Sequence, residues 1–336
     1  MICSRKLAPF ENYSLNSNEY ILFSLEIENS SIIPSIVSTI KKSILGFNYK
    51  IQDGKLIYNP DEIEVHTLPN YIKTCQDSSA YCDKHLLNDY SKGLASIAVN
   101  NRIITVTAAH MLYDGGFFVD LYNRLLDDPN QTYYYQSDPK RYVTYTFQEM
   151  FEKEYQRKDL KFLSNQHSSY SKYLQTIPFS TKIDPDASEN QRCVSHIIDI
   201  PVDNFHFKKS KMNLSDMYWT MLPLTCMAFN GSDISNNLGI LTCVDMRKYL
   251  PSQKVNRLVG QNFTELFLSV GEIKPEMTVR KVGKMFRDKF NQMQKDGTFF
   301  AALYNMDFGF PSLEKRLFVE ISNIGRFEKK KSIVDV

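Results

Sequence analysis

Between Ile32 and Phe47 the apolar residues Ile33, Ile36, Val37, Ile40, Ile44 and Phe47 return at helical spacing, with Lys41 and Lys42 on the opposite side. This pattern predicts an amphipathic helix. Such a stripe serves a protein core or a lipid surface, and the core-facing reading is adopted here. Residues 94–99 and 103–107 are two β-rich runs separated by Asn100 and Asn101, which tolerate the backbone of a tight turn, so they predict a hairpin. The second run leads through Ala108 and Ala109 to His110. After Gly115 and Gly116 the helical spacing resumes at Phe118, Leu121, Tyr122 and Leu125, until Asp127, Asp128 and Pro129 stop it. The unit reads strand, tight turn, helix.

Helical material is expected at 147–174, followed by a polar segment at 176–192 with two prolines and little periodicity, which reads as a crossover. This places a first lobe at residues 1–180 and a second at 181–336. The second lobe is expected to hold a strand at 193–200 and then a helix capped by Ser215, running through Trp219, Leu222 and Met227 with a kink at Pro223. Strands are expected at 238–244, 263–270 and 318–322. A helix at 278–293 would carry the stripe Val279, Val282, Phe286, Phe290 and Met293 against a solvated basic face. Strands and helices alternate in both halves, with no glycine-rich phosphate loop, which predicts an α/β chain of two lobes with mixed sheets and flanking helices.

The length of 336 residues suits two domains. Forty Lys and Arg against 38 Asp and Glu leave a net charge of +2, too small for general nucleic-acid affinity. Six cysteines without a CxxC pair read as reduced thiols of an intracellular protein, in the cytoplasm or at the periphery of the endoplasmic reticulum. The N-terminal residues carry Arg5 and Lys6 with no apolar stretch behind them, so no secretory signal is expected. The longest nearly apolar run, 217–229, is too short to span a membrane.

The string His110-Met111-Leu112-Tyr113-Asp114-Gly115-Gly116 concentrates the candidate chemistry. An imidazole at a strand end is held on a rigid element with its ring free to meet a substrate, and it titrates near neutral pH. A core histidine followed by a turn-forming Asp-Gly would give the same string. A metal site is not expected, because the glycines break the helix that would bring His110 and Asp114 onto one ion and no third ligand lies nearby. Cys75 and Cys82, near His66 and His85, fit no zinc spacing.

His110-x-x-x-Asp114-Gly115 resembles the active-site motif of the superfamily that includes chloramphenicol acetyltransferase, peptide-synthetase condensation domains and plant acyl-CoA-dependent acyltransferases. Four further segments resemble one branch, the fungal alcohol acetyltransferases and their sphingoid-base N-acetyltransferase relatives. These are Ser4-Arg5-Lys6-Leu7-Ala8-Pro9-Phe10-Glu11, Val244-Asp245-Met246-Arg247-Lys248-Tyr249-Leu250-Pro251, Val259-Gly260-Gln261-Asn262 and Ile321-Ser322-Asn323-Ile324-Gly325.

The resemblance implies a two-lobed chloramphenicol-acetyltransferase-like fold. It implies acetyl transfer from acetyl-CoA, as co-substrate, to an alcohol or to the amine of a long-chain amino alcohol, without a metal. His110 would be the general base. Asp114 would point away from the substrate and pair with Arg247, Gly115 and Gly116 would allow close backbone approach, and Asn323 would line the acyl channel or donate to the oxyanion. No nucleophilic Ser or Cys is required, in keeping with the lack of a Gly-x-Ser-x-Gly elbow. Members of that branch run longer after the Ser-Asn-x-Gly segment, so the second lobe is expected to be incomplete, with residues 328–332 a polar tail. A catalytically silent paralogue that at most binds lipid or acyl-CoA is the alternative, and peripheral membrane contact stays open.

Overall fold

The computed structural model describes residues 4–8, 11–12, 14–15, 19–58, 64–86, 90–124, 151–169, 212–230, 237–250, 262–308 and 320–336. The expected crossover at 176–192, the strand at 193–200 and residues Val259, Gly260 and Gln261 lie outside them.

The first lobe comprises β1 (Ser4–Lys6), β2 (Tyr20–Ile27), α1 (Ile33–Ser43), β3 (Tyr49–Gln52), β4 (Lys55–Tyr58), β5 (Val65–Thr67), α2 (Cys75–His85), β6 (Ala95–Val99), β7 (Ile103–Ala109) and α3 (Gly115–Arg124). The expected hairpin is β6 and β7, paired Val99 to Ile104 through Ala95 to Ala108, and the Asn100 side-chain carbonyl closes its turn by accepting from the backbone N–H of Arg102 and Ile103. β7 lies between β2 and β6 and is buried along its whole length. One face, with Ile104, Val106 and Ala108, packs with Ile33, Ile36, Ile40 and Ile44 and with Phe117, Phe118 and Leu121. The apolar stripe of α1 is therefore inside the protein, as its core-facing reading requires. The other face is covered by α2 and is mixed: Ile103 and Ala98 pack with Cys82, Leu68 and Ile72, while the hydroxyls of Ser24 and Ser78 meet that of Thr105 at 2.9 and 2.6 Å.

The second core is built from α4 (Glu152–Tyr155), α5 (Leu160–Ser169), α6 (Leu214–Asn230), β8 (Asn237–Asp245), β9 (Phe263–Glu272), α7 (Val279–Asp296), α8 (Thr298–Phe308) and β10 (Glu320–Ile321). Phe151 and Leu160 belong to this core with Trp219, Leu266, Leu268 and Phe286, so residues 151–169, expected in the first lobe, already pack with the second. The cap of α6 is Asn213 rather than Ser215. Its side chain accepts from Asp216 N at 2.9 Å while the Asp216 carboxylate accepts from Asn213 N at 3.3 Å, a reciprocal box that outcompetes a hydroxyl placed inside the first turn. The helix continues through the buried Pro223. The α7 helix starts as expected at Thr278, whose hydroxyl accepts from Lys281 N at 3.2 Å, and it ends at Gly297 with φ 86°. Strand order in the described sheet is β10-β8-β9.

The end of the chain does not stay in the second lobe or trail as a polar tail. After β10 it crosses to α3, where the Asn123 amide donates to Arg326 O at 3.1 Å and accepts from Glu328 N at 2.9 Å, and Phe327 packs edge-on against Tyr122. Strand β11 (Ile333–Asp335) then pairs with β2 and completes the sheet order β11-β2-β7-β6-β5. Backbone pairing to a strand edge makes little demand on side-chain type, which is why a polar stretch could take this path.

Candidate active site

The site forms where the turn after β7 meets the second lobe. His110 is half-buried, its N–H donates to Glu19 O at 2.9 Å, and its ring lies 5.7 Å from that of Phe263 at the start of β9. The turn is fixed from beneath by Tyr113, which is buried and takes the Gly46 N–H on its hydroxyl oxygen at 2.8 Å. Burial pushes that phenol up, so it stays protonated.

Asp114 caps α3 and joins the lobes. One carboxylate oxygen accepts from Phe117 N at 2.8 Å and from Arg247 Nη2 at 2.7 Å, and the other from Asn262 N at 2.7 Å. Arg247 sits in the short turn after β8, 4% exposed, and also meets Asp245 at 3.0 Å. Burial opposes its charge, but the carboxylates of Asp114 and Asp245 outweigh that and hold the guanidinium above its ordinary value. The carboxylate thus joins an interlobe ion pair with Arg247.

The glycines have separate reasons. A Cβ on Gly116 would lie 2.8 Å from Arg247 Nη1, and one on Gly115 would overlap Ile324 Cγ2. Asn323 precedes that isoleucine; its amide donates to Ser215 Oγ at 3.2 Å and accepts from Gly325 N at 3.1 Å. In the segment from Ser4 to Glu11, Arg5 and Glu11 form a two-pronged ion pair with both bonds at 2.6 Å.

Three contributions were not anticipated from the sequence: the Phe263 ring, the Asn262 N–H and Glu265. Glu265 interrupts the apolar run of β9, and that interruption is the signal that could have exposed it. Its cross-strand partner is Cys243, and the Cys243 thiol donates to Glu320 Oε1 at 3.4 Å. Burial, and then the charges of Glu320 and Glu19, push the Glu265 carboxyl up to about 8. The same surroundings push the Cys243 thiol up as well.

No protein-family model matches the chain, and no curated protein matches it. Solved structures do share its fold. Polyketide synthase associated protein 5 from Mycobacterium tuberculosis superposes with a TM-score of 0.64 at 12% identity, over 98% of this chain and 85% of that one. The epimerization domain from the third module of tyrocidine synthetase B gives 0.66 at 15% identity, over 98% and 83%. The first condensation domain of the CDA synthetase gives 0.65 at 11% identity, over 98% and 85%. The chain has the condensation-domain fold of the chloramphenicol-acetyltransferase-like class, an α/β architecture of mixed sheets and flanking helices. Among the described residues no helix is long and apolar enough to cross a membrane.

Proposed function

We propose that this chain is an acyltransferase that moves an acetyl group from acetyl-CoA to the hydroxyl or amine of a small-molecule acceptor, with His110 as general base. The observation that carries this reading is the position of His110. It ends a fully buried strand, is held by the Glu19 carbonyl and faces Phe263 across the junction between lobes. Asp114 and Arg247 keep that junction in register, which supports a fixed distance between base and substrate. In the reaction the acceptor's lone pair attacks the thioester carbonyl carbon while its proton passes to the imidazole. Collapse of the tetrahedral adduct breaks the C–S bond, and the thiolate recovers the proton from the imidazolium. The resemblance of four segments to the fungal alcohol acetyltransferases and sphingoid-base N-acetyltransferases supports acetyl-CoA as donor.

Free-thiol release from acetyl-CoA with a panel of alcohols and amines tests the reading. Replacing His110 with Ala should lower the rate by roughly 10²- to 10⁴-fold in a folded protein, the usual contribution of one general base. Near-normal turnover in a folded His110→Ala variant would end the assignment.

A further inference from the structure

The string Lys-Lys-Ser occurs three times in the chain, ending at Ser43, Ser210 and Ser332. Cations two or three residues before a serine, with an apolar residue after it, form the charge pattern that basophilic protein kinases select. Sequence and fold separate the three. Ser43 lies inside α1, is 3% exposed and donates to Thr39 O at 2.7 Å, so it is out of a kinase's reach. Ser210 is followed by Lys211, and both lie outside the described residues. Ser332 alone has a third lysine, Lys329, ahead of Lys330 and Lys331, and Ile333 follows it. It closes the stretch 322–332, which belongs to no helix or strand and is mostly exposed. Its position governs β11. Ser332 O accepts from Glu28 N at 3.1 Å, and from there Ile333 pairs with Ile27 and Asp335 with Glu26. The last of these pairs already sets two carboxylates opposite each other, and Arg102, with Nε 2.6 Å from Glu26, offsets them.

We propose that Ser332 is a phosphorylation site for a basophilic protein kinase, and that its phosphate releases β11 from β2. The co-reactant is Mg-ATP. Ser332 Oγ attacks the γ-phosphorus, the bond from that phosphorus to the bridging oxygen of ADP breaks, and the hydroxyl proton leaves through the kinase's base. Serine and ATP become phosphoserine, ADP and one proton. A kinase binds its substrate extended, so it takes Ser332 while the bond to Glu28 is open, and a strand of only three residues opens locally. The phosphate then adds about −1.5 to −2 charge. Lys329 and Lys331 are neighbours in sequence and can meet it whether or not β11 is docked. Lys330 donates to Asn123 O in the docked state and can turn fully to the phosphate only on release. Glu28 and Glu26 face it only while β11 is paired. The difference between the two states therefore favours release, which takes Ile333 out of the first core and uncovers the edge of β2.

Wild type and S332A, each incubated with Mg-ATP and the catalytic subunit of cyclic-AMP-dependent protein kinase or protein kinase C, test this. Phosphate is mapped by mass spectrometry, and amide hydrogen exchange is read at Glu28. Ser332 should take up phosphate and Ser43 should not, and S332A should lose that uptake. In the phosphorylated wild type the Glu28 amide should exchange roughly ten-fold faster or more, while amides of α7 keep their rates. Raising salt from about 0.05 to about 1 M should slow the Glu28 amide again, because the repulsion acts between charges open to solvent. No phosphate at Ser332 with either kinase, or uptake confined to Ser210, overturns the proposal. So does phosphate at Ser332 with Glu28 exchange unchanged or slowed, which would mean that the lysines hold the strand in place. Acceleration shared by α7, or one that salt does not reverse, overturns it as well, since neither is a local release driven by charge.

Discussion

Asp114 carries three hydrogen bonds on two oxygens, at 2.7, 2.7 and 2.8 Å, and two of them come from the other lobe. Truncation to Ala would take its buried carboxylate partner from a guanidinium only 4% exposed, leaving it the more exposed Asp245, and would remove the acceptor of two buried N–H groups. Removing one member of a buried ion pair costs about 3 to 5 kcal/mol, and each orphaned donor about 1 to 3 kcal/mol. Even with overlap between these effects, the loss approaches the whole stability of a typical domain. Asp114→Asn is the sharper probe. Its one carbonyl oxygen can keep the Phe117 and Arg247 bonds, but the charge is gone and its amide meets the Asn262 N–H donor to donor. About 3 kcal/mol should be lost. Arg247→Met should lose a similar amount, because the carboxylate keeps its two backbone partners but not its counter-charge. Once the pair is absent neither residue has a partner left to disappoint, so the double variant should cost much less than the sum, with a coupling of about 2 kcal/mol. Urea titration followed by Trp219 fluorescence measures all four proteins. Trp219 is the single tryptophan and sits in the second core, its indole N–H on Thr242 Oγ1 at 3.0 Å. Additive losses would show that the two charges do not act on each other, and the interlobe pair as described would be wrong.

His167, 2% exposed, takes the Phe267 N–H on Nε2 at 3.1 Å, and burial, then Lys289, lowers it from 6.5 to about 4. The unfolded chain binds the proton first, so stability present above pH 6.5 should be lost as pH falls through 4, by about 3 kcal/mol at 1.36 kcal/mol per unit. Urea midpoints between pH 4 and 7 should lose that slope in His167→Gln, which keeps an acceptor for Phe267, and an unchanged slope would refute the assignment. Gly115→Ala should cost about 1 to 3 kcal/mol of stability through its overlap with Ile324, read as a lowered Tm, and Ile324→Ala should restore it. Gly116→Ala, 2.8 Å from an Arg247 nitrogen pinned by two carboxylates, should cost at least as much and resist that rescue; rescue of both by Ile324→Ala would contradict the packing.

Elements whose apolar residues all face one way were legible in the chain. The α1 and α7 stripes are of this kind, the latter bounded by Thr278 and Gly297, and the β6–β7 hairpin was legible through its β-rich runs and the Asn100 turn between them. Strand β2 was not among the expected elements. It lies inside the sheet, and Phe23, Leu25 and Ile27 do alternate with Ser24 and Glu26, so its pattern was there to be read; what the sequence hides is that the polar residues are buried on the α2 side, where hydroxyls and the Arg102 side chain, 2.6 Å from Glu26, satisfy them. At the site, His110 and Asp114 stand out because strand, turn and helix follow one another in sequence. The Asp114–Arg247 pair spans 133 residues, and no local spacing could reveal it. Its expectation came from resemblance. Glu265 needed more still, since its raised carboxyl depends on burial and on Glu320 and Glu19, both far from it in sequence.

Residues 27 and 333 are cross-strand neighbours, although the whole second core lies between them in sequence. During synthesis the first lobe therefore exists for a long interval with the outer edge of β2 unoccupied, while the strand that will cover it has not yet been made. Closing so long a loop carries an entropic cost that grows only slowly with length, so the delay matters more for rate than for final stability. An open β edge in a newly made chain invites pairing with another copy. Completion of the first lobe's sheet thus waits for β11, and until that strand pairs, the β2 edge stays open to another copy.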